Sequence, residues 1–536
     1  VKKQSFSYIQ VLLPAFFIAA GVIIGILLTP SSGSPALKNR ISETLGLINL
    51  FYVDSVESSK IEEEAIAEIL KSLDPHSVFI SSADIKAVNE PLEGEFEGIG
   101  VEFNILEDTI YIVNVIRDGP SENAGLRAGD RIIRVDDSLV AGIKITNEEV
   151  IRKLKGKKNT KVKVSILRNL DKSFSDYIIR RGTIPVHSVD ASYMADPMTG
   201  YIRLVRFSAT THEEVKAALK DLKKQGMKNL IFDLRGNPGG YLSAAIQVAD
   251  EFIDGSKLLV YTEGRSQPKK TYKARETGLF ESGKLVILID EQSASASEIV
   301  SGAVQDWDRG LIIGRRSYGK GLVQEPFTLS DGSAIRLTVS RYYTPTGRSI
   351  QKPYSDGYDL YQQEVTGRWE HGEMEYSDSV RSNDSLRYLT PGGRTVYGGG
   401  GIYPDIFVAV DTSYSRTLLS GVYRKYLHRR FVYSFLESHR AALKEYGKVK
   451  SFITSFEWKP ADKEEFKRLL ISQGVKWTEE DWKKSEFFIF NEMKAVLARQ
   501  LFDINAYYMV SNQDDTMIRT ALKALSEYGD GLVAGK

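Results

Sequence analysis

Five apolar residues in a row, Leu285 to Ile289, run without a break into Asp290-Glu291-Gln292-Ser293-Ala294-Ser295-Ala296-Ser297-Glu298. Beyond them Ile299, Val300, Ala303 and Val304 recur at helical spacing. A buried strand, a tight polar turn and a helix are therefore predicted, with serines in the turn. A second apolar run, Leu311 to Gly314, and a glycine-rich turn, Tyr318-Gly319-Lys320-Gly321, follow. A serine hydroxyl at such a turn lies near the unpaired N–H groups of a helix start, where developing negative charge is favoured. It can act as a nucleophile beside backbone donors for an oxyanion.

A serine nucleophile needs a base. None of the six histidines (His76, His187, His212, His371, His428 and His439) is near this stretch in sequence. Lys320 is the nearest candidate, because a desolvated lysine loses its proton more readily, and serine–lysine pairs are a known variant of the triad. Gln324 is placed to hold the amine. Residues 314–320 also fit the phosphate-loop spacing G-x-x-x-x-G-K. That loop requires a Ser or Thr next and then a helix, whereas Gly321 and an extended stretch follow here. The remaining reading of the same residues is structural, with the serines capping a helix and Lys320 solvated in a turn.

S-A-S-A-S-E followed by G-K-G-L-V-Q resembles the carboxyl-terminal processing (tail-specific) serine peptidases. The resemblance implies Ser295 as nucleophile, Lys320 as base and Gln324 as its holder. Residue chemistry alone does not choose Ser295 over Ser293 or Ser297. Leu230 to Leu234 reads as a buried strand that ends in Arg235-Gly236-Asn237-Pro238-Gly239-Gly240. The resemblance implies that this turn supplies one oxyanion donor, Gly240, and that Ala296 supplies the other.

From about Gly94 to Gly182 the pattern changes to short strands, among them Ile110 to Val113, Ile132-Ile133 and the alternating Lys161 to Ile166. Gly98-Ile99-Gly100-Val101, with Ala124-Gly125-Leu126-Arg127-Ala128-Gly129-Asp130, resembles a PDZ domain. Gly98, Ile99, Gly100 and Val101 would form its carboxylate-binding loop, where bare amides capture a chain terminus while the peptide adds as a strand.

The expected architecture is multidomain α+β. Residues 1–35 form a membrane anchor or signal segment, 36–92 a helical segment and 93–183 the PDZ domain. Residues 184–412 form an α/β protease core with an irregular inserted loop at about 352–392, and 413–536 a C-terminal helical domain. His76, in the turn Leu73 to Ser77, is read as structural, and His212 as an exposed residue in the first turn of a helix. The apolar residues Phe487 to Phe490 and Met493 are expected to pack on the core or on a second copy, making a homo-oligomer through this region one expectation.

Lys2 and Lys3 precede the apolar run Val11 to Leu28, and no charge falls between Lys3 and Lys38. That run is long enough to span a bilayer with its amino terminus in the cytoplasm. The expectation is an inner-membrane anchor facing the periplasm or exterior, or release to the periplasm if the segment is cleaved. A formal charge of +1 on 536 residues argues against a nucleic-acid partner. Absence of cysteine excludes disulfides and thiol catalysis. No cofactor or metal is required by this reading. The rival from another class is a non-catalytic PDZ adaptor or chaperone that binds C-termini.

Overall fold

A computed structural model describes residues 40–168, 174–379 and 384–527. The chain divides into a unit ending at Ile69 and a large unit beginning at Leu70. In the first unit the helix Arg40–Phe51 buries none of its residues. Among the described residues no helix is long and apolar enough to cross a membrane, and the predicted span Val11 to Leu28 lies outside them.

In the large unit, the strand Lys284–Ile289 is central to a six-stranded sheet. The strand order is Val189–Met194, Thr199–Leu204, Asn229–Asp233, Lys284–Ile289, Leu311–Gly314 and Ile406–Phe407. The first pair is antiparallel and the remaining pairs are parallel. Leu285, Ile287 and Ile289 pack with the helices Thr211–Lys224, Leu242–Asp250 and Ala296–Asp306. Val286 and Leu288 face the other way, towards Met517, Ile518 and Ala521 of the helix Thr516–Glu527. Burial on both faces explains why this strand shows no polar alternation. The last helix thus packs on this sheet and not among the helices that precede it.

A second, antiparallel sheet joins Val78–Ile80, Ala334–Tyr343, Leu258–Glu263, Lys270–Lys273 and Leu322–Thr328. Residues 95–185 make an antiparallel five-strand sheet with a short sixth strand, closed by pairing of Glu95–Gly98 with Gly182–Pro185. Among the described residues the strand Val101–Leu106 pairs with Thr109–Val115 alone, which leaves its other edge unpaired there.

Two expectations need correction. Residues 352–392 contain a 13-residue helix, Tyr358–Glu370. It escaped a periodicity reading because only Tyr361 and Arg368 are buried, and charge fixes it: Glu364 holds Arg368 at 2.7 Å and Lys352 at 3.0 Å. His212 is not exposed; its ring is seated against Glu251 at 2.8 Å, with only 15% of the side chain accessible.

Between Arg416 and Ser511 six helices enclose an aromatic cluster that includes Phe431, Trp458, Phe466, Trp482 and Phe490. Ile489, Phe490 and Met493 are used inside this cluster. Fully buried Phe466 stacks edge-on against Phe431 and Phe490. Phe466→Ala is expected to cost this region about 3–5 kcal/mol. A fall in its urea midpoint, followed by tryptophan fluorescence, checks that loss.

Candidate active site

The strand Lys284–Ile289 ends at Asp290, and the helix Ala296–Asp306 starts six residues later, so the chain must reverse sharply. Ser295 absorbs the reversal with φ 54° and ψ −111°, a region that L-residues occupy at a cost of about 1–3 kcal/mol. The three serines of the turn separate here. Ser293 is buried and donates to the Leu234 carbonyl at 2.8 Å, while Ser297 is buried and donates to the Asn237 carbonyl at 3.0 Å. The Ser295 hydroxyl is half-exposed, with no acceptor among the described residues. Of the three serines of the turn, Ser295 is the one whose hydroxyl donates to no acceptor among the described residues.

Two double clamps set Ser295 beside Lys320. One Glu298 oxygen, Oε2, accepts the Ser295 amide at 2.7 Å and the Lys320 amide at 2.9 Å. Its other oxygen accepts the Ser317 hydroxyl at 2.5 Å and the Gly319 amide at 2.8 Å. On the carbonyl side, the buried Tyr342 hydroxyl reaches Ser295 O at 3.1 Å and Lys320 O at 2.5 Å. Shared partners at both amides and both carbonyls hold the two residues side by side. Burial, aided by Arg336, brings Lys320 below the usual lysine range, and Glu298 and Asp74 oppose that shift. Burial pushes the Glu298 carboxyl up to about 7.

The glycine turn closes the third side. Asn237 accepts the Gly239 amide at 2.9 Å, donates to Leu204 O at 2.9 Å and receives the Ala294 amide at 3.0 Å. A Cβ at Gly239 would lie 2.8 Å from the Ser295 Cβ and 2.9 Å from the Ala296 nitrogen. One at Gly240, where φ is 150°, would lie 2.0 Å from Phe207 O. Neither position admits a side chain. The amides of Gly240 and Ala296 have no acceptor among the described residues. They are available to an incoming oxygen.

Gln324 makes no direct bond to Lys320. Its strand bulges between Val323 and Gln324, and its amide nitrogen donates to Thr338 Oγ1 at 3.2 Å. Gly321 is followed by the strand Leu322–Thr328, not a helix, so the phosphate-loop geometry is absent at that turn. Two cavities of about 690 and 670 Å³ are lined by neither Ser295 nor Lys320. In the five-strand module, Gly100 has φ 76°, the carbonyls of Ile99 and Gly100 are taken by Ser121 and Ile116, and their amides find no acceptor among the described residues.

Sequence reasoning did not assign Glu298, Tyr342 or Asn237 a role. The signal for Glu298 was present: Ser295-x-x-Glu298 is a capping-box spacing. Tyr342 and Asn237 act through contacts remote in sequence and had no such mark.

A protein with a half-exposed serine hydroxyl, a partly buried lysine and two bare amides on an α/β core has the parts of a serine hydrolase. Residues 198–357 match the model of peptidase family S41, residues 98–174 that of the PDZ domain, and residues 418–503 that of a family of unknown function. The chain is 35% identical over 350 residues to a carboxy-terminal-processing protease of Bartonella bacilliformis, covering 62% of this chain and 79% of that one. It is also 35% identical to the carboxy-terminal processing protease CtpB of Bacillus subtilis, over 59% of this chain and 65% of the relative. A photosystem II D1 C-terminal processing protease structure aligns at 26% identity and TM-score 0.35, covering 68% of this chain and 86% of that one. The chain belongs to peptidase family S41, the carboxy-terminal processing serine peptidases, and carries a PDZ domain.

Proposed function

We propose that this chain is an endopeptidase that uses Ser295 and Lys320 to process or degrade the C-terminal tails of exported proteins, selected by its PDZ domain. The paired clamping of Ser295 and Lys320 by Glu298 and Tyr342 carries the reading. The neutral Lys320 amine takes the Ser295 proton as the hydroxyl oxygen attacks a peptide carbonyl. The oxyanion receives hydrogen bonds from the Gly240 and Ala296 amides. Lys320 then returns the proton to the leaving amine, and an ester remains on Ser295. Water, deprotonated by the same lysine, releases the acyl group. Gln324 acts through Thr338 on the wall of the site.

Tail selection is supported by the open edge of Val101–Leu106 and by the bare amides of Ile99 and Gly100 beside Gly98 and Val101. Export, and a membrane attachment, are supported by the apolar run Val11 to Leu28.

An unstructured peptide ending in small apolar residues, with a free or an amidated C-terminus, tests both halves, with products followed by mass spectrometry. Cleavage is expected of the free form, and amidation is expected to lower kcat/KM about tenfold or more through loss of the carboxylate contact. Equal cleavage of both forms would remove the tail-reading role. Binding of the free form without any cleavage would favour the adaptor.

A further inference from the structure

The turn Leu73 to Ser77 lies far in sequence from every residue assigned above, yet it is built into the site. Asp74 is 7% exposed. Its Oδ1 accepts the amides of His76 at 2.8 Å and Ser77 at 2.9 Å, and its Oδ2 accepts the Ser77 hydroxyl at 2.6 Å. Those bonds would suffice for a turn. The same Oδ1 also accepts the Thr338 hydroxyl at 3.0 Å, and that hydroxyl accepts the Gln324 amide at 3.2 Å. The Thr338 amide donates back to the Ser77 hydroxyl at 3.1 Å. The strand Val78–Ile80, immediately after the turn, pairs with Ala334–Tyr343, the strand that carries both Thr338 and Tyr342.

We infer that Asp74 is a positioning residue for the peptidase reaction: through Thr338 it fixes Gln324 on the wall of the site. This rests on Lys320 being the base. A hydroxyl that donates to Asp74 is left with its lone pairs for the Gln324 amide, so the carboxylate sets the direction of the chain Gln324→Thr338→Asp74. The Gln324 carbonyl oxygen is then the free end of that side chain.

The charged and titratable groups facing Lys320 come from three elements: Asp74 and His76 from the turn, Glu298 from the nucleophile helix, and Arg336 from the long strand. Lys352 also acts on His76. The imidazole of His76 is held by the Tyr361 hydroxyl at 2.7 Å, and burial lowers it to about 4, so it is neutral at working pH. Asp74 and Glu298 are therefore the acidic groups set against Lys320 and Arg336. Removing the Asp74 charge makes the ammonium less favourable and frees the amine at lower pH.

The test compares pH profiles of kcat/KM on the free-tail peptide for wild type, Asp74→Asn and Thr338→Val. Asp74→Asn keeps an acceptor oxygen for the turn amides. Its acid limb is expected to move to lower pH while the plateau falls about 10- to 100-fold. Thr338→Val cuts the link to Gln324 but leaves the charge, so its plateau is expected to fall with the acid limb in place. Thermal unfolding and tail binding by the PDZ domain report whether each variant is folded. A folded Asp74→Asn whose plateau and acid limb both match the wild type overturns the inference. If Asp74→Asn does not fold, Thr338→Val decides: a wild-type plateau overturns it. Lys320→Ala separates the two levels, since full activity there would defeat the base assignment itself.

Discussion

Ser295→Ala is expected to lower kcat by roughly 10⁴- to 10⁶-fold while leaving the melting temperature nearly unchanged. The size follows from the role. Without the hydroxyl no acyl-enzyme forms, and the amides of Gly240 and Ala296 can only polarise a carbonyl for a water that nothing positions. The unchanged stability follows from the structure. The Ser295 hydroxyl holds nothing together, and alanine keeps the Cβ and hence the backbone cost at φ 54°. Its neighbours should show the reverse pattern. Ser293→Ala removes one of two donors to the Leu234 carbonyl, which keeps the Asn237 amide, and Ser297→Ala removes one of two to the Asn237 carbonyl, which keeps the Ala294 amide, each costing about 1 kcal/mol. Both should cleave peptide once folded. A loss of cleavage in Ser293→Ala or Ser297→Ala that matches Ser295→Ala, measured on folded protein, would mean that the nucleophile has been misplaced.

Much of this site was legible because it is local. The strand–turn–helix around Ser295 follows from an apolar run, small residues and a helical repeat within some twenty positions. The turn at Gly239-Gly240 follows in the same way from a buried strand and two glycines. What was not legible lies between segments. Asp74 and Thr338 are 264 residues apart, and Tyr342 reaches Ser295 across 47. No periodicity or spacing rule carries such information. The helix Tyr358–Glu370 was hidden for another reason, because an element fixed by Glu364, Arg368 and Lys352 writes no apolar stripe. His212 misled because a first-turn position is usually solvated, and its partner Glu251 lies on a separate element. The direction of Gln324 was missed because a bulge between Val323 and Gln324 re-aims that side chain, and bulges leave no reliable mark in sequence.

Glu298→Gln is expected to lower kcat by about 10²- to 10³-fold and to change how stability depends on pH. The carboxylate faces four donors, two on each oxygen: Ser317 Oγ and the Gly319 amide on one, the Ser295 and Lys320 amides on the other. Glutamine presents one oxygen and one NH₂ group. Whichever way it turns, at least one buried amide meets a donor, at a cost of about 1–3 kcal/mol for each buried group left unpaired. If the NH₂ faces Ser295 and Lys320, the nucleophile and base part; if it faces Ser317 and Gly319, the turn that carries Lys320 loosens. Both outcomes displace the reacting atoms. The pH term has a definite sign. Burial raises the folded carboxyl from 4.5 to about 7, so the folded state holds this proton more tightly than the unfolded state. Its contribution is most favourable below pH 4.5 and is lost as pH rises through 7, a swing on the order of 3 kcal/mol. Glutamine has no such swing. The difference in urea midpoint between wild type and Glu298→Gln should therefore be largest near pH 5 and narrow by pH 8. A constant difference across that range would show that the carboxyl is already ionised at pH 5, and that its four hydrogen bonds outweigh burial. A Glu298→Gln enzyme with wild-type kcat would show that the Tyr342 clamp alone suffices to hold Ser295 beside Lys320.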